Sequence, residues 1–126
     1  MKVLLPLSLI AALITAPVFA ADCGVPNGEV EIPDGAKASK EEMLVASHAL
    51  KDANAAVIAY GDCLKLEQDA KIAAGGEQMK DEEKVKISTA YADLQNTQVE
   101  KLQKLADRFN AELRAFKAKQ PPPAQQ

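Results

Sequence analysis

The chain has 126 residues and a formal net charge of −3, and charged residues of both signs make up 26% of it. This length suits one domain, and the lack of a basic block excludes nucleic acid as an expected partner. There is no Trp, and aromatic residues are only 4% of the chain. A core must therefore come from Leu, Val, Ile and Ala, a composition that favours helices.

Residues 1–20 have the pattern of a secretory signal peptide cleaved after Ala20. A basic start is followed by an apolar stretch, and Val18 and Ala20 are the small residues expected just before a cleavage site. The apolar stretch is too short for a membrane anchor, which needs about 20 residues. A lipoprotein is disfavoured because Asp22, rather than a small residue, precedes Cys23. The pattern predicts export from the cytosol, with no membrane anchor after cleavage.

Residues 21–38 form a Pro- and Gly-rich segment that we expect to be extended. Pro26-Asn27-Gly28 and Pro33-Asp34-Gly35 are turn signals. Between them, residues 29–32 alternate polar and apolar side chains, as an extended piece lying on a surface does. The segment has too few apolar residues to fold alone.

The first predicted helix covers residues 39–74. Ser39 and Glu42 have the spacing of a capping box, and Gly75-Gly76 ends the pattern. Gly61 is a candidate bend, because glycine costs about 1 kcal/mol relative to alanine inside a helix. Apolar residues recur every seven positions, with a second set three residues later, and such a stripe packs against a neighbouring helix. These residues are Met43, Leu50, Val57 and Leu64, then Ala46, Ala53 and Tyr60.

The second predicted helix covers residues 81–119, with Asp81 as its cap, and a flexible tail follows at 120–126. Its stripe repeats at the same spacing, and Ser88 and Gln95 make the first part of the seam more polar. The stripe consists of Val85, Ala92, Val99, Ala106 and Leu113, then Ser88, Gln95, Leu102, Phe109 and Phe116. Because the loop is short, the helices must be antiparallel neighbours. The predicted fold is all-α, a long coiled-coil-like two-helix hairpin.

Cys23 and Cys63 are the only two cysteines, and secretion favours a disulfide between them. Cys63 lies about 36 Å from the start of the first helix, and the residues before Ser39 extend to about 55 Å. The bond therefore requires residues 23–38 to run back along that helix. Such a path would lay Val25, Val30 and Ile32 on the hairpin as a third layer. An intermolecular bond and a redox-active pair are the alternatives, although the chain lacks a CxxC motif.

Several short stretches resemble a family of small, uncharacterised periplasmic proteins of Gram-negative bacteria that form a helical hairpin. The matching residues are Cys23, Ile32-Pro33-Asp34-Gly35, Ser39, Met43, Tyr60, Cys63-Leu64, Glu67, Ala106, Phe109-Asn110 and Phe116-Lys117. The resemblance covers nearly all of the chain after residue 20. It implies a periplasmic location and brings no activity with it.

The sequence offers no set of residues for catalysis, a cofactor or a metal ion. His48 is the one histidine, expected at the boundary of the apolar face, and no second ligand is suitably spaced. No phosphate-binding loop or nucleophile motif is present. We therefore expect a non-enzymatic protein that binds an unknown protein partner or self-associates as a homo-oligomer. The alternatives are a holdase-type chaperone or stress protein, and an inhibitor or immunity-type binding protein.

Overall fold

A computed structural model describes residues 22–121, so the predicted signal peptide and most of the tail lie outside the described residues. Helix α1 spans Lys40–Gly75, a 3₁₀ turn spans Gly76–Gln78, and helix α2 spans Asp81–Ala118. The two helices pack against each other, and no strand occurs within residues 22–121. The all-α hairpin is confirmed, with helix ends within one residue of those predicted.

Helix α1 begins at the predicted capping box and runs unbroken for 36 residues. The Ser39 hydroxyl accepts from the Glu42 N–H at 3.2 Å, and the Glu42 carboxylate accepts from the Ser39 N–H at 2.7 Å. The backbone bond from Ser39, followed by its side-chain bond, lowers the pKa of Glu42. The helix ends where Gly76 adopts a φ of 60°, which favours glycine.

Helix α2 begins differently from the prediction. Its N-cap is Lys80, and Asp81 is already the first helical residue. Lys80 makes no capping bond with its side chain, and the Glu83 carboxylate instead accepts from the Lys80 N–H at 3.0 Å. Acidic residues in the first turn still complement the positive end of the helix, which explains why the cap position itself tolerates lysine.

The predicted stripe of α1 faces α2, whereas that of α2 is only partly correct. Met43, Ala46, Val57, Tyr60 and Leu64 are buried, and Leu50 and Ala53 are half-buried, as predicted. On α2 the set containing Leu102, Phe109 and Phe116 lies in the seam. The set that begins with Val85 does not, because Val85, Ala92 and Val99 are exposed.

A geometric drift explains this error. Seven residues fall about 20° short of two full turns, so a line of every seventh residue rotates slowly around a helix. That line starts outside the seam at Val85 and reaches its half-buried edge only at Ala106 and Leu113. Gln98, which is buried, and Leu105, which is half-buried, occupy the seam instead.

The N-terminal segment forms the predicted third layer. Cys23 is bonded to Cys63, and the two Cα atoms are 5.8 Å apart. Pro26–Gly28 lie over the groove between the helices, beside Ala53, Val57 and Leu102. Further along, Ile32 inserts into the main core, whose buried members are Ile32, Ala38, Met43, Ala46 and Phe109. Val30 packs against this core, but Val25 is 63% exposed and does not belong to the third layer as predicted.

The segment is fixed to the end of α2 at Gly35. The Gly35 N–H donates to the Glu112 carboxylate at 2.8 Å, and a Cβ at Gly35 would lie 1.8 Å from the Glu112 carbonyl oxygen. The turn beside it is closed by Asp34, and hydrogen bonds from Lys37 and the Ala36 N–H lower the pKa of its carboxyl. Of the two predicted turns, the structure forms only this one.

Candidate interaction surface

Within the described residues, the side chains capable of catalysis or metal binding do not come together at one site. Within residues 22–121 no group of three or more His, Cys, Asp and Glu side chains is placed to hold a metal ion. His48 is exposed on α1. The disulfide joins Cys23 to Cys63, so neither sulfur is a thiol that acts as nucleophile or metal ligand in this form. The features that bear on function are therefore surfaces.

The hairpin has a long face on each side of the seam between α1 and α2. We name the side on which residues 23–38 lie the covered face, and the opposite side the open face. On the covered face, residues 26–29 border Lys101, Leu105 and Arg108 of α2. The two faces belong to the same pair of helices, so their side chains can be compared directly.

Large apolar side chains are exposed on the open face. Ile58 is 56% exposed, Val85 is 63% exposed and Val99 is 45% exposed. With about 3.6 residues per turn, each lies about a quarter to a third of a turn from the buried line of its helix, away from the covered face. Exposed apolar groups cost about 25 cal/mol for every Å² that remains in water, so such a group of residues favours a partner.

The open face of α2 is also free of charge along most of its length. Its residues are Val85, Ser88, Ala92, Gln95, Asn96, Val99, Gln103, Ala106, Asn110 and Leu113. The charged residues of the same stretch fall on the other sides of the helix, and Glu100, Lys104 and Arg108 are examples. A solvated helix surface has no need of an uncharged strip. We therefore take the open face as the candidate interaction surface.

The part of the seam near the bend of the hairpin, the connection between α1 and α2 at residues 76–80, is polar, as predicted from Ser88 and Gln95. The Gln68 amide donates to the Ser88 hydroxyl at 3.1 Å, bridging the helices. Gln95 packs on Gly61, where a Cβ would lie 2.6 Å from the Gln95 Nε2 atom. Gly61 therefore does not kink α1 as predicted. The helix is continuous there, and the glycine makes room for the Gln95 side chain.

Two shallow clefts elsewhere have charged rims and no converging reactive groups. One of about 560 Å³ lies on the covered face between residues 26–29 and the Lys101, Lys104 and Arg108 side chains. The other, of about 570 Å³, lies at the bend and is bordered by Met79, Glu83 and Ile87. Both are open to solvent, and neither encloses a ligand with convergent polar groups as a small-molecule site does.

The chain matches no protein-family model, and comparisons with curated proteins and with solved structures find no significant similarity. The resemblance to small periplasmic proteins therefore stays a prediction of the sequence. Between residues 22 and 121, neither helix is long and apolar enough to cross a membrane.

The sequence pattern does not predict the open face, because it assigns Val85 and Val99 to the seam between the helices. The signal that identifies it is the distribution of charge rather than that of hydrophobicity. Between residues 85 and 113, charges are absent from a single angular sector of α2 that includes Val85, Val99 and Leu113. The buried residues Gln98 and Phe109 lie in the same uncharged sector, so the signal is its width, which exceeds that of a single seam.

Proposed function

We propose that the protein is exported to the periplasm and acts there without catalysis, by binding a protein through the open face of its hairpin. The observation that carries the proposal is the uncharged strip along α2, with Ile58, Val85 and Val99 exposed on the same face. Protein-binding surfaces are depleted of charge at their centre and rimmed by polar residues. The α2 part of the open face has this composition, and the charged residues of α2 lie at its margins.

The proposed location is supported by two independent features. Residues 1–20 have the signal-peptide pattern, and the structure contains a disulfide, a bond that persists in oxidising compartments. Expression of the full-length sequence in a Gram-negative host, followed by fractionation and intact mass measurement, tests the location. We expect a periplasmic product that begins at Ala21 and has no free thiol. A cytosolic product retaining Met1 would contradict the proposal.

A photo-crosslinking amino acid tests the binding surface in the cell. It replaces Val99 on the open face or, as a matched control, Leu94, which is 48% exposed on the covered side of the same helix. We expect a discrete covalent adduct with one protein from position 99 and little adduct from position 94. Equal adduct formation at both positions, or none at position 99, would show that the open face is not the binding surface.

A further inference from the structure

We infer that the protein bound by the open face is a second copy of this chain, with the two α2 helices packed antiparallel about a two-fold axis at Val99. The inference rests on the proposed function and names its partner. It follows from the order of side chains along the open face, from the charges at its two ends, and from its area.

The line of every seventh residue on α2 is symmetric about Val99. It reads large, small, large, small, large, in the order Val85, Ala92, Val99, Ala106, Leu113. A two-fold interface brings the same patch of both subunits together, so it requires such self-complementarity. Antiparallel pairing would place Val99 against Val99, Ala92 against Ala106, and Val85 against Leu113 of the second copy. Large residues meet large ones, and the alanine layers allow the helices to approach closely.

The burial of these residues agrees with the same pairing. Val85 protrudes and is 63% exposed, whereas Leu113 is half-buried against the core of its own hairpin. The two-fold axis places the protruding end of one copy against the recessed end of the other. Ala92, which is exposed, likewise meets the half-buried Ala106. The line rotates slowly around α2, so it cannot face α1 along its whole length. In a dimer the same rotation makes its two ends complementary, one protruding and one recessed.

The polar residues beside this line are also compatible with the pairing. Asn110 and Gln103, which are exposed, would lie opposite Ser88 and Gln95 of the second copy, whose side chains are half-buried at the edge of their own seam. All four are neutral groups that both donate and accept hydrogen bonds, so no charge is desolvated in the centre.

Opposite charges occur only at the two ends of the strip. Asp81 and Lys117 lie eighteen residues before and after Val99, at nearly the same angle around the helix. The antiparallel arrangement places Lys117 of one copy beside Asp81 of the other, at both ends. The Asp81 side chain is 98% exposed and makes a pair with Lys84 at 3.4 Å within its own helix. Complementary charges at a rim fix register and orientation more than they add affinity.

The area of the open face suits a reversible dimer. The strip from Val85 to Leu113 is about 42 Å long at 1.5 Å per residue. With the diameter of one helix, about 11 Å, as its width, the strip covers roughly 450 Å² per copy, below the ~800 Å² of a standard interface. We therefore expect dimers that dissociate on dilution.

Sedimentation equilibrium of the oxidised protein tests the inference, with Val99→Glu and Leu94→Glu as a matched pair of variants. We expect the wild type and Leu94→Glu to approach twice the monomer mass as concentration rises, since small interfaces form weak complexes. Val99→Glu should stay monomeric, because two carboxylates would meet on the axis. Circular dichroism and intact mass confirm that each variant is helical and oxidised. A wild type that stays monomeric, or a dimer unaffected by Val99→Glu, would overturn the inference.

A charge exchange tests the antiparallel register separately. Asp81→Lys alone and Lys117→Asp alone should each weaken the dimer several-fold, and the double variant should recover it. Both changes are unfavourable for the helix dipole, so a general loss of stability would make the double variant the weakest of the three. That result would overturn the register.

The same measurements distinguish this inference from the proposed function. If the wild type is monomeric but position 99 forms an adduct with a different protein, self-association fails and binding through the open face stands. If position 99 forms no adduct and the wild type is monomeric, both fail.

Discussion

The two ends of the hairpin are built from the same helices and differ in what covers them. At the free end, residues 30–38 pack onto α1 and α2, and Ile32, Met43 and Phe109 are buried together. At the bend, no residue from Lys65 to Thr97 is buried, and the seam contains Gln68, Ser88 and Gln95. Two helices alone leave much of their apolar side chains accessible to water. A third layer is needed to bury these side chains in a core.

Stability should therefore be unequal along the hairpin. Local opening costs most where apolar contacts are dense and least where they are sparse. We expect amide protons of the free end to exchange only on global unfolding, and those near the bend to exchange through smaller openings.

Removal of the disulfide should have the largest effect. A variant with Cys23→Ser and Cys63→Ser together frees a loop with a separation of 40 residues. The chain-entropy relation gives a loss of about 4 kcal/mol in the free energy of unfolding. Urea unfolding followed by circular dichroism measures it, and hydrogen exchange should show the free end becoming as open as the bend. A loss below about 1 kcal/mol would mean that noncovalent contacts hold the segment unaided.

Truncation of the third layer should come next. Ile32→Ala removes a side chain that is only 5% exposed, and we expect a loss of about 3 kcal/mol in the free energy of unfolding. Leu66→Ala is the matched control near the bend, since Leu66 is 71% exposed and its truncation should cost less than about 0.5 kcal/mol. Denaturant unfolding of both variants provides the comparison. Similar losses at the two sites would contradict the unequal distribution of stability.

Gly35→Ala tests the close approach between the segment and α2. The added Cβ would lie 1.8 Å from the Glu112 carbonyl oxygen, and this backbone atom cannot turn aside. The segment must lift, at a cost of about 1–3 kcal/mol in thermal or urea unfolding. Gly24→Ala is the control, because no atom lies within 4 Å of its added Cβ. An unchanged stability of Gly35→Ala would place the segment farther from α2 than the structure has it.

The smallest predicted effect concerns pH at the start of α1. Hydrogen bonds from Ser39 lower the pKa of Glu42, so its stabilising contribution is present above the ordinary value of about 4.3 and is lost as pH falls through the lowered one. Glu42→Gln keeps an acceptor for the cap but does not titrate. Its urea midpoint should fall less than that of the wild type between neutral and acidic pH. Glu41→Gln is the control, and an identical pH response of the two variants would contradict the assignment.

Local chemistry made much of this fold predictable from the sequence. Ser39, Glu42 and Gly76 act within one turn of backbone, so their spacing suffices to position the ends of α1. The path of the N-terminal segment was equally predictable. Residues 23–38 are long enough to bring Cys23 to Cys63 only if they run back along α1.

The remainder depends on how whole helices rotate against each other. A seven-residue repeat is compatible with several rotations of α2 about its own axis. In the structure Leu102 and Phe109 face α1, and this rotation leaves Val85 and Val99 outside the seam. Val25 has the same apolar character as Ile32, and only the path of the segment decides that one is exposed and the other buried. The open face is therefore a consequence of tertiary packing that hydrophobic spacing alone does not indicate.

The position of the Cys23–Cys63 bond divides the chain into a closed ring and a linear arm. The ring contains the whole segment after Cys23 and α1 as far as Cys63, and with it every buried member of the main core except Phe109. A protease that cuts once within residues 24–62 leaves a single covalent molecule of nearly unchanged mass until a reductant is added. A cut after Cys63 releases a fragment that only packing retains. The hairpin is thus protected from scission in α1 as far as Cys63, and exposed to it in the rest of α1 and in α2.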